Sequence, residues 1–438
     1  MIFLGPMILS NILQSLSGTL NSMFLGQMMG FKALAAVAAF FPVMFVFIAF
    51  VIGLGAGASV LIGQAWGARQ PDKVRAIAGT TLLVGLIFGA VVAVFGGLFT
   101  RPIMQLLGTP ADILEQATIY SRIVLLGMPG LFVFLLATSL LRGVGDTLTP
   151  MWSLLLSTAI GLISTPALIA GWWGLPQLGV ASAGVSMILG FSIALIWLGV
   201  HLRHQGSVLA PGQALLKAMR IDAVLLKGVL RVGVPTGVLM IATSLAGLVV
   251  MSLINGFGSS ATAAYGAVNQ INSFAQFPLI SIAITASILG AQAIGAGHSE
   301  RLPAIARTAL TINLLLGGAT ALVGSLFARP LLRIFITDEQ VLHVAVELLY
   351  IVLWSGLLFG AFASLSALMR ASGDVVVPTA ITIAVLTVLE LPLAWLLSQR
   401  FGLIGIWMAF PLSYSITLGL QTWYYKAVWK KRPIRKMV

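Results

Sequence analysis

The chain has no cysteine and little charge. The absence of cysteine excludes disulfides, iron–sulfur clusters and thiolate zinc sites. Charged residues make up 8% of the 438 positions, against about 25% in a soluble domain. So few charges cannot cover a water-facing surface, and lipid must solvate most of the molecule. Alternating runs of period two are also absent, which excludes a transmembrane β-barrel. Met1 to Pro6 hold no basic residue, so no removable signal peptide is expected and the first apolar stretch reads as a true span. No Walker motif is present, which argues against ATP drive within this chain.

What the chain has is hydrophobicity: 59% apolar residues and a mean hydropathy of +1.07. Apolar stretches occur at 6–28, 34–64, 76–98, 118–141, 150–171, 180–202, 233–255, 261–288, 305–327, 343–369, 377–398 and 404–426. Each is long enough for a span, which needs about 20 residues. Twelve spans place both termini on one side. The net charge of +13 could point to nucleic acid, but its placement points to lipid headgroups. With cytoplasmic termini, the cytoplasmic segments hold Arg69, Lys73, Arg75, Arg142, Arg203, Lys217, Arg220, Lys227, Arg231, Arg301, Arg307, Arg370, Lys426, Lys430, Lys431, Arg432, Arg435 and Lys436. The opposite side holds only Lys32, Arg101, Arg122, Arg329, Arg333 and Arg400. This asymmetry follows the positive-inside rule and supports both the span count and the orientation.

The sequence repeats itself at a spacing of 228 residues. Gln64 and Gly67 recur as Gln292 and Gly295, Arg101-Pro102 recurs as Arg329-Pro330, and Arg142, Gly145, Asp146 and Pro150 recur as Arg370, Gly373, Asp374 and Pro378. Matches in register across three loops mark a duplication. Each copy holds six spans, and an even number makes the copies parallel. The expected fold is therefore all-α and integral to the membrane, with twelve transmembrane helices in two six-helix bundles related by a pseudo-two-fold axis along the membrane normal. The N-terminal lobe covers 1–202 and the C-terminal lobe 233–438, joined by a cytoplasmic linker, 203–232, that contains Pro211 and Gly212. Within the linker, Val224, Leu225, Val229 and Leu230 could lie on the membrane while Lys217, Arg220, Lys227 and Arg231 meet headgroups. Two such bundles with a cavity between them are the layout of a rocking transporter.

The segment Leu141-Arg142-Gly143-Val144-Gly145-Asp146-Thr147 with Pro150 resembles the LRGxGDTxxP loop of the multidrug and toxic compound extrusion (MATE) transporters, and Met369 to Asp374 with Pro378 is its second copy. Gly53 to Gly67, ending in Gly63-Gln64-Ala65-Trp66-Gly67-Ala68, resembles the family's second helix, and Gly290 to Gly297 repeats that element. Leu178-Gly179-Val180-Ala181 resembles the start of its sixth helix. The resemblance covers nearly the whole chain. It implies a secondary-active antiporter of a bacterial inner membrane that exports organic cations or other drugs in exchange for H+ or Na+, without a cofactor. Many members carry an aspartate on the first helix, fifteen residues after its proline; here that position, counted from Pro6, is Asn21. The acidic positions that other members use on the seventh and tenth helices have no counterpart.

Glu390, in the eleventh span, is the only acidic residue found deep in any span. An ionised carboxylate at mid-bilayer is expensive, so it must face a cavity, find a partner or stay protonated. It reads as the coupling or substrate-charge site, or alternatively as a neutral acid bonded to a neighbouring helix. Pro392 follows it and frees a backbone carbonyl. Asn11, Gln14, Gly18 and Asn21 share one face of the first span, and Tyr265, Asn269, Asn272 and Gln276 share one face of the eighth. Each stripe reads as cavity lining or as interhelical hydrogen bonding. The repeat counterparts of the second stripe are Val37, Phe41, Met44 and Ile48, a surface able to adapt to amphipathic cations or simply to meet lipid or core. Arg142 with Asp146 and Arg370 with Asp374 stand four apart, a spacing that allows helical ion pairs in structural loops. His201 and His204 lack a third ligand for a metal.

Three functions compete. A drug antiporter fits best; its partners would be small organic cations and lipid, not nucleic acid, and a two-lobed chain can work as a monomer. A flippase for a lipid-linked or amphiphilic cargo is the alternative, disfavoured because the deep spans hold no Lys or Arg. A membrane-embedded enzyme would need clustered intramembrane His, Asp or Glu, and these are missing.

Overall fold

The structure is a computed structural model that describes residues 3–336, 338–434 and 436–437. Met1 and Val438, which bound the two lobes, and Arg435 of the basic C-terminus lie outside the described residues. The described chain is helical throughout. In order the helices are α1 Leu4–Met29, α2 Phe31–Ala38, α3 Phe41–Gly67, α4 Pro71–Leu106, α5 Leu114–Val144, α6 Leu148–Ala170, α7 Ala181–His204, α8 Gln213–Ala218, α9 Ala223–Asn255, α10 Ser259–Gly295, α11 Leu302–Leu326, α12 Ala328–Arg333, α13 Glu339–Ala371, α14 Val376–Ala384 and α15 Leu391–Ala427. A π-helical segment, Val385–Glu390, joins α14 to α15.

Ten stretches among the described residues are long and apolar enough to cross a membrane by length and composition. Twelve spans follow from two physical facts. The segment from Val376 to Lys431 is two spans, because Gly402 at φ 61°, ψ −142° breaks α15 after Phe401. Helix α1 is the other addition: it is 26 residues long, and its polar face of Asn11, Gln14 and Asn21 dilutes its hydropathy. Large apolar side chains face outward along the spans, as at Leu106, Ile196, Leu248, Leu315 and Val388. Lipid tolerates such a surface and water does not. The chain is an all-α integral membrane protein of twelve spans in two six-helix bundles.

The chain divides into two compact units, Met1–Gly233 and Val234–Val438. In the first, α5 packs against α3, α4 and α7, and α6 packs against α1 and α7. In the second, α13 packs against α10, α11 and α15, over a core that includes Ala321, Leu349, Ile406 and Ala409. The turns repeat as the sequence does. Gly145 (φ 97°) and Gly373 (φ 82°) both close the helix before them in the left-handed region. Gly30 and Gly258 lie at φ 85° and 95°. Phe99 and Phe327 bend their helices at φ −102° with ψ 16° and 19°, each three residues before a proline that cannot accept the preceding helical geometry.

Two expectations change. The second span is not one helix: Pro42 lacks an N–H and crowds the carbonyl of Ala38, so α2 ends there and α3 begins at Phe41. Val37 therefore stands on α2, apart from Phe41, Met44 and Ile48 on α3. The linker segment near Val224 is also not a separate amphipathic helix but the first turns of α9. Leu225 and Val229 are buried because α9 lies against α3: the Val229 carbonyl abuts Gly57 and Gly228 abuts Leu61. Val224 alone of that apolar group is fully turned outward.

Candidate functional site

Glu390 ends the π-helical segment and is 5% exposed, although Val388, two residues earlier, is 75% exposed. A π-segment holds an extra residue per turn and re-aims the side chains on either side of it. Pro392 follows at the second position of α15, within the same continuous run of helix, and offers no N–H to a carbonyl of the turn before it. The carboxylate Oε2 accepts a hydrogen bond of 2.5 Å from the Ser413 hydroxyl, which also lies 3.0 Å from the Phe410 carbonyl. Of the other acidic residues, Asp72, Glu115, Glu339 and Glu347 lie in the first nine residues of a helix and the rest lie outside the long helices. Glu390 is thus the one carboxylate at mid-span among the described residues.

Aromatic rings flank this site. Tyr414, next to Ser413, contacts Phe359, Phe362 and Phe410 at centroid distances of 6.0, 5.6 and 6.0 Å. Phe410 continues to Trp407 at 5.6 Å and Trp407 to Tyr265 at 5.4 Å. The arrangement joins one negative site to a run of π faces, and it can hold a proton or attract an organic cation. Of the eighth-span stripe, Tyr265 joins this run. Asn272 and Gln276 are half-buried on α10 and Asn269 is exposed.

In the first unit, Asn21 on α1 accepts a 2.7 Å hydrogen bond from Thr165 of α6. This pair is neutral. Gln14 and Gly18 are exposed, while Asn11 is half-buried and engaged. Phe41 is 45% exposed and Met44 half-buried on α3. The structure therefore spreads the first unit's residues along α1 and α3 and gathers the second unit's chemistry around Glu390.

The loop motifs correct one expectation. Arg142 and Asp146 are not an ion pair, nor are Arg370 and Asp374. Helical spacing ends at Val144 and Ala371, and the left-handed glycines turn each aspartate away from its arginine. Asp146 instead accepts from the Thr149 N–H at 3.0 Å, capping α6. Asp374 accepts from the Tyr424 hydroxyl at 2.6 Å and lies 3.9 Å from Arg432. Gly143 has a packing reason: a Cβ there would meet the Ser59 carbonyl and Ile62. Ser413, Tyr414 and Thr165 were not singled out from sequence. A hairpin register would have found Ser413, because it and Glu390 lie almost equally far from the turn at Gly402.

A twelve-span fold in two tandem units with one buried mid-span carboxylate defines a membrane transporter. The MatE family model matches twice, over residues 6–167 and 235–396, and the chain belongs to this family of multidrug efflux transporters. It is 39% identical to a probable multidrug resistance protein, YoeA, of Bacillus subtilis, over 100% of this chain and 95% of that one. It is 27% identical to an FAD transporter of Shewanella oneidensis, over 95% of this chain and 91% of that one. Among solved structures, a variant of the MATE transporter VcmN of Vibrio cholerae superposes with a TM-score of 0.90 at 22% identity, covering 99% of this chain and 96% of that one.

Proposed function

We propose that the chain exports organic cations in exchange for protons, by alternating access of two lobes, 1–202 and 233–438, joined by a cytoplasmic linker at 203–232. The observation that carries this reading is Glu390, buried at mid-span, bonded to Ser413 and bordered by aromatic rings. One carboxylate that holds either a proton or a cation, never both, makes exchange obligatory. Sodium is the lesser candidate. The side-chain oxygens that meet at Glu390 are a carboxylate and one hydroxyl, a set that suits a proton better than a desolvated metal cation. Asn21 and Thr165 cannot carry a proton, so they act by hydrogen bonding. Gln14, Phe41, Met44, Tyr265, Asn269, Asn272 and Gln276 act as cavity lining that adapts to varied cargo. The arginine and aspartate loops are structural. The excess of basic residues on one set of loops supports cytoplasmic termini in a bacterial inner membrane, and a single two-lobed chain suffices as a monomer.

The test is reconstitution into liposomes with ethidium as cargo, under an imposed pH or Na+ gradient, for native and Glu390→Gln protein. Glutamine keeps an acceptor for Ser413, so the fold is retained. The expected result is pH-driven ethidium transport that the substitution abolishes. Transport that survives the substitution would remove Glu390 from the mechanism. No ethidium movement by folded native protein under either gradient would favour a flippase of amphiphiles instead.

A further inference from the structure

From Glu390 a buried polar seam runs along the last two spans to the basic end of the chain. On α15, Ser413, Thr417, Gln421 and Tyr424 follow at steps of four, four and three, on one helix face, and all are at most 5% exposed. The facing helix, α14, contributes Thr382 and the carbonyl of Pro378. Ser413 donates to Glu390, and Thr417 donates to the Ser413 carbonyl at 2.9 Å. Gln421 Nε2 donates to Thr382 Oγ1 at 3.0 Å and lies 3.4 Å from the Pro378 carbonyl, to which Thr382 donates at 3.0 Å. Tyr424 donates to Asp374, and Arg432 reaches the Tyr424 hydroxyl at 3.4 Å. Asp374 is partly open and Arg432 largely so, which places the outer end of the seam at water.

Its length fits a passage. Eleven residues separate Ser413 from Tyr424, about 16 Å at 1.5 Å per residue, or roughly half of a 30 Å hydrocarbon core. Lipid-facing helices gain nothing from such a run of hydroxyls and amides, and one member is unsatisfied within the protein: Gln421 Oε1 is buried without a hydrogen-bond partner. A buried acceptor of this kind marks a place for water. Gaps between groups four residues apart on a helix are about 5–6 Å, a distance that one bridging water closes.

We propose that this seam is the path by which the proton leaves Glu390 for the cytoplasm. The inference rests on the coupling role of Glu390 given above. The Glu390 carboxyl gives its proton to water held along Ser413, Thr417 and Gln421. The hydrated proton passes Thr382 and is accepted by the Asp374 carboxylate, which releases it to the aqueous phase. Glu390 is left as the carboxylate that receives the cation. Ser413, Thr382 and Gln421 are positioning residues for the water.

The test compares Thr382→Val, Gln421→Leu and Thr382→Ser with native and Glu390→Gln protein in liposomes. Valine keeps the shape of threonine with a methyl group in place of the hydroxyl, and a thermal melt of each purified variant establishes that it is folded. Two rates are read: pH-driven ethidium transport with an internal pH dye, and ethidium counterflow at equal pH, which needs no net proton movement. The path predicts that Thr382→Val and Gln421→Leu slow the pH-driven rate on the order of tenfold while counterflow persists, and that Thr382→Ser restores the native rate. A seam that only fixes helix packing would lower both rates together, and Thr382→Val without effect on either would send the proton elsewhere; each overturns the proposal. Persistence of pH-driven transport in Glu390→Gln would instead refute the coupling role itself.

Discussion

Gly360→Ala tests how the second unit is packed. Gly360 on α13 faces Asn313 on α11, and a Cβ there would strike the Asn313 amide, with Cγ and Nδ2 both at 2.6 Å. Asn313 is 1% exposed, its Nδ2 lies 3.4 Å from the Leu357 carbonyl, and its Oδ1 has no partner. The amide cannot swing into solvent, so the helices must part. Overpacking of this kind costs about 1–3 kcal/mol. Loss of the weak interhelical hydrogen bond adds about 0.6 kcal/mol, and the better helix propensity of alanine returns about 1 kcal/mol. The net loss is about 1–3 kcal/mol, or a fall in Tm of roughly 2–12 °C for a unit of this size. At the positions 228 residues earlier stand Gly85 and Phe132, and Gly85 there abuts Leu136, so the place of Asn313 is held by a residue without a side chain. Asn313→Ala in the Gly360→Ala background should therefore recover most of the loss. The assay is tryptophan fluorescence of detergent-purified protein on heating at one fixed scan rate. A Gly360→Ala protein as stable as native, or no recovery in the double variant, would refute the packing argument.

Two further outcomes follow from the turns and from the first unit. Gly373→Ala should destabilise by about 1–2 kcal/mol because φ 82° is a left-handed conformation, and Gly373→Asn should cost less because asparagine tolerates that region; thermal melts of the two variants order them. Thr165→Val should lose about 0.6 kcal/mol with its hydrogen bond to Asn21 and leave pH-driven ethidium transport in place, since neither partner carries a proton; the flux assay checks this directly.

The spans were legible because hydropathy and length decide them. The first and last needed more. Helix α1 is diluted by its own polar face, and only a left-handed Gly402 separates the eleventh span from the twelfth. The duplication was legible in loops because turns demand particular residues: glycine at positive φ, proline after a bend. What escaped was partner choice. The four-residue spacing of Arg142 and Asp146 suggested a pair, but that rule holds only inside a helix, and Gly145 ends it. The break between α2 and α3 was signalled by Pro42 and outweighed by the apolar run around it. Glu390 was legible as a buried acid, whereas Ser413 is one serine among many until the turn at Gly402 sets which residues share a depth.

That register also explains why the chemistry concentrates in the second unit. Around Gly402 the last two spans form an antiparallel pair, so Glu390 meets Ser413 and Thr382 meets Gln421, each couple within one residue of equal distance from the turn. At the positions 228 residues before Glu390 and Thr382 stand Leu162 and Leu154. The turns of the two units remain alike because backbone geometry constrains them. The spans are free to differ wherever a side chain faces neither a turn nor a close helix contact, and the mechanism proposed above needs one polar seam for one coupling site. A second seam would add buried polar groups whose cost no further exchange would offset.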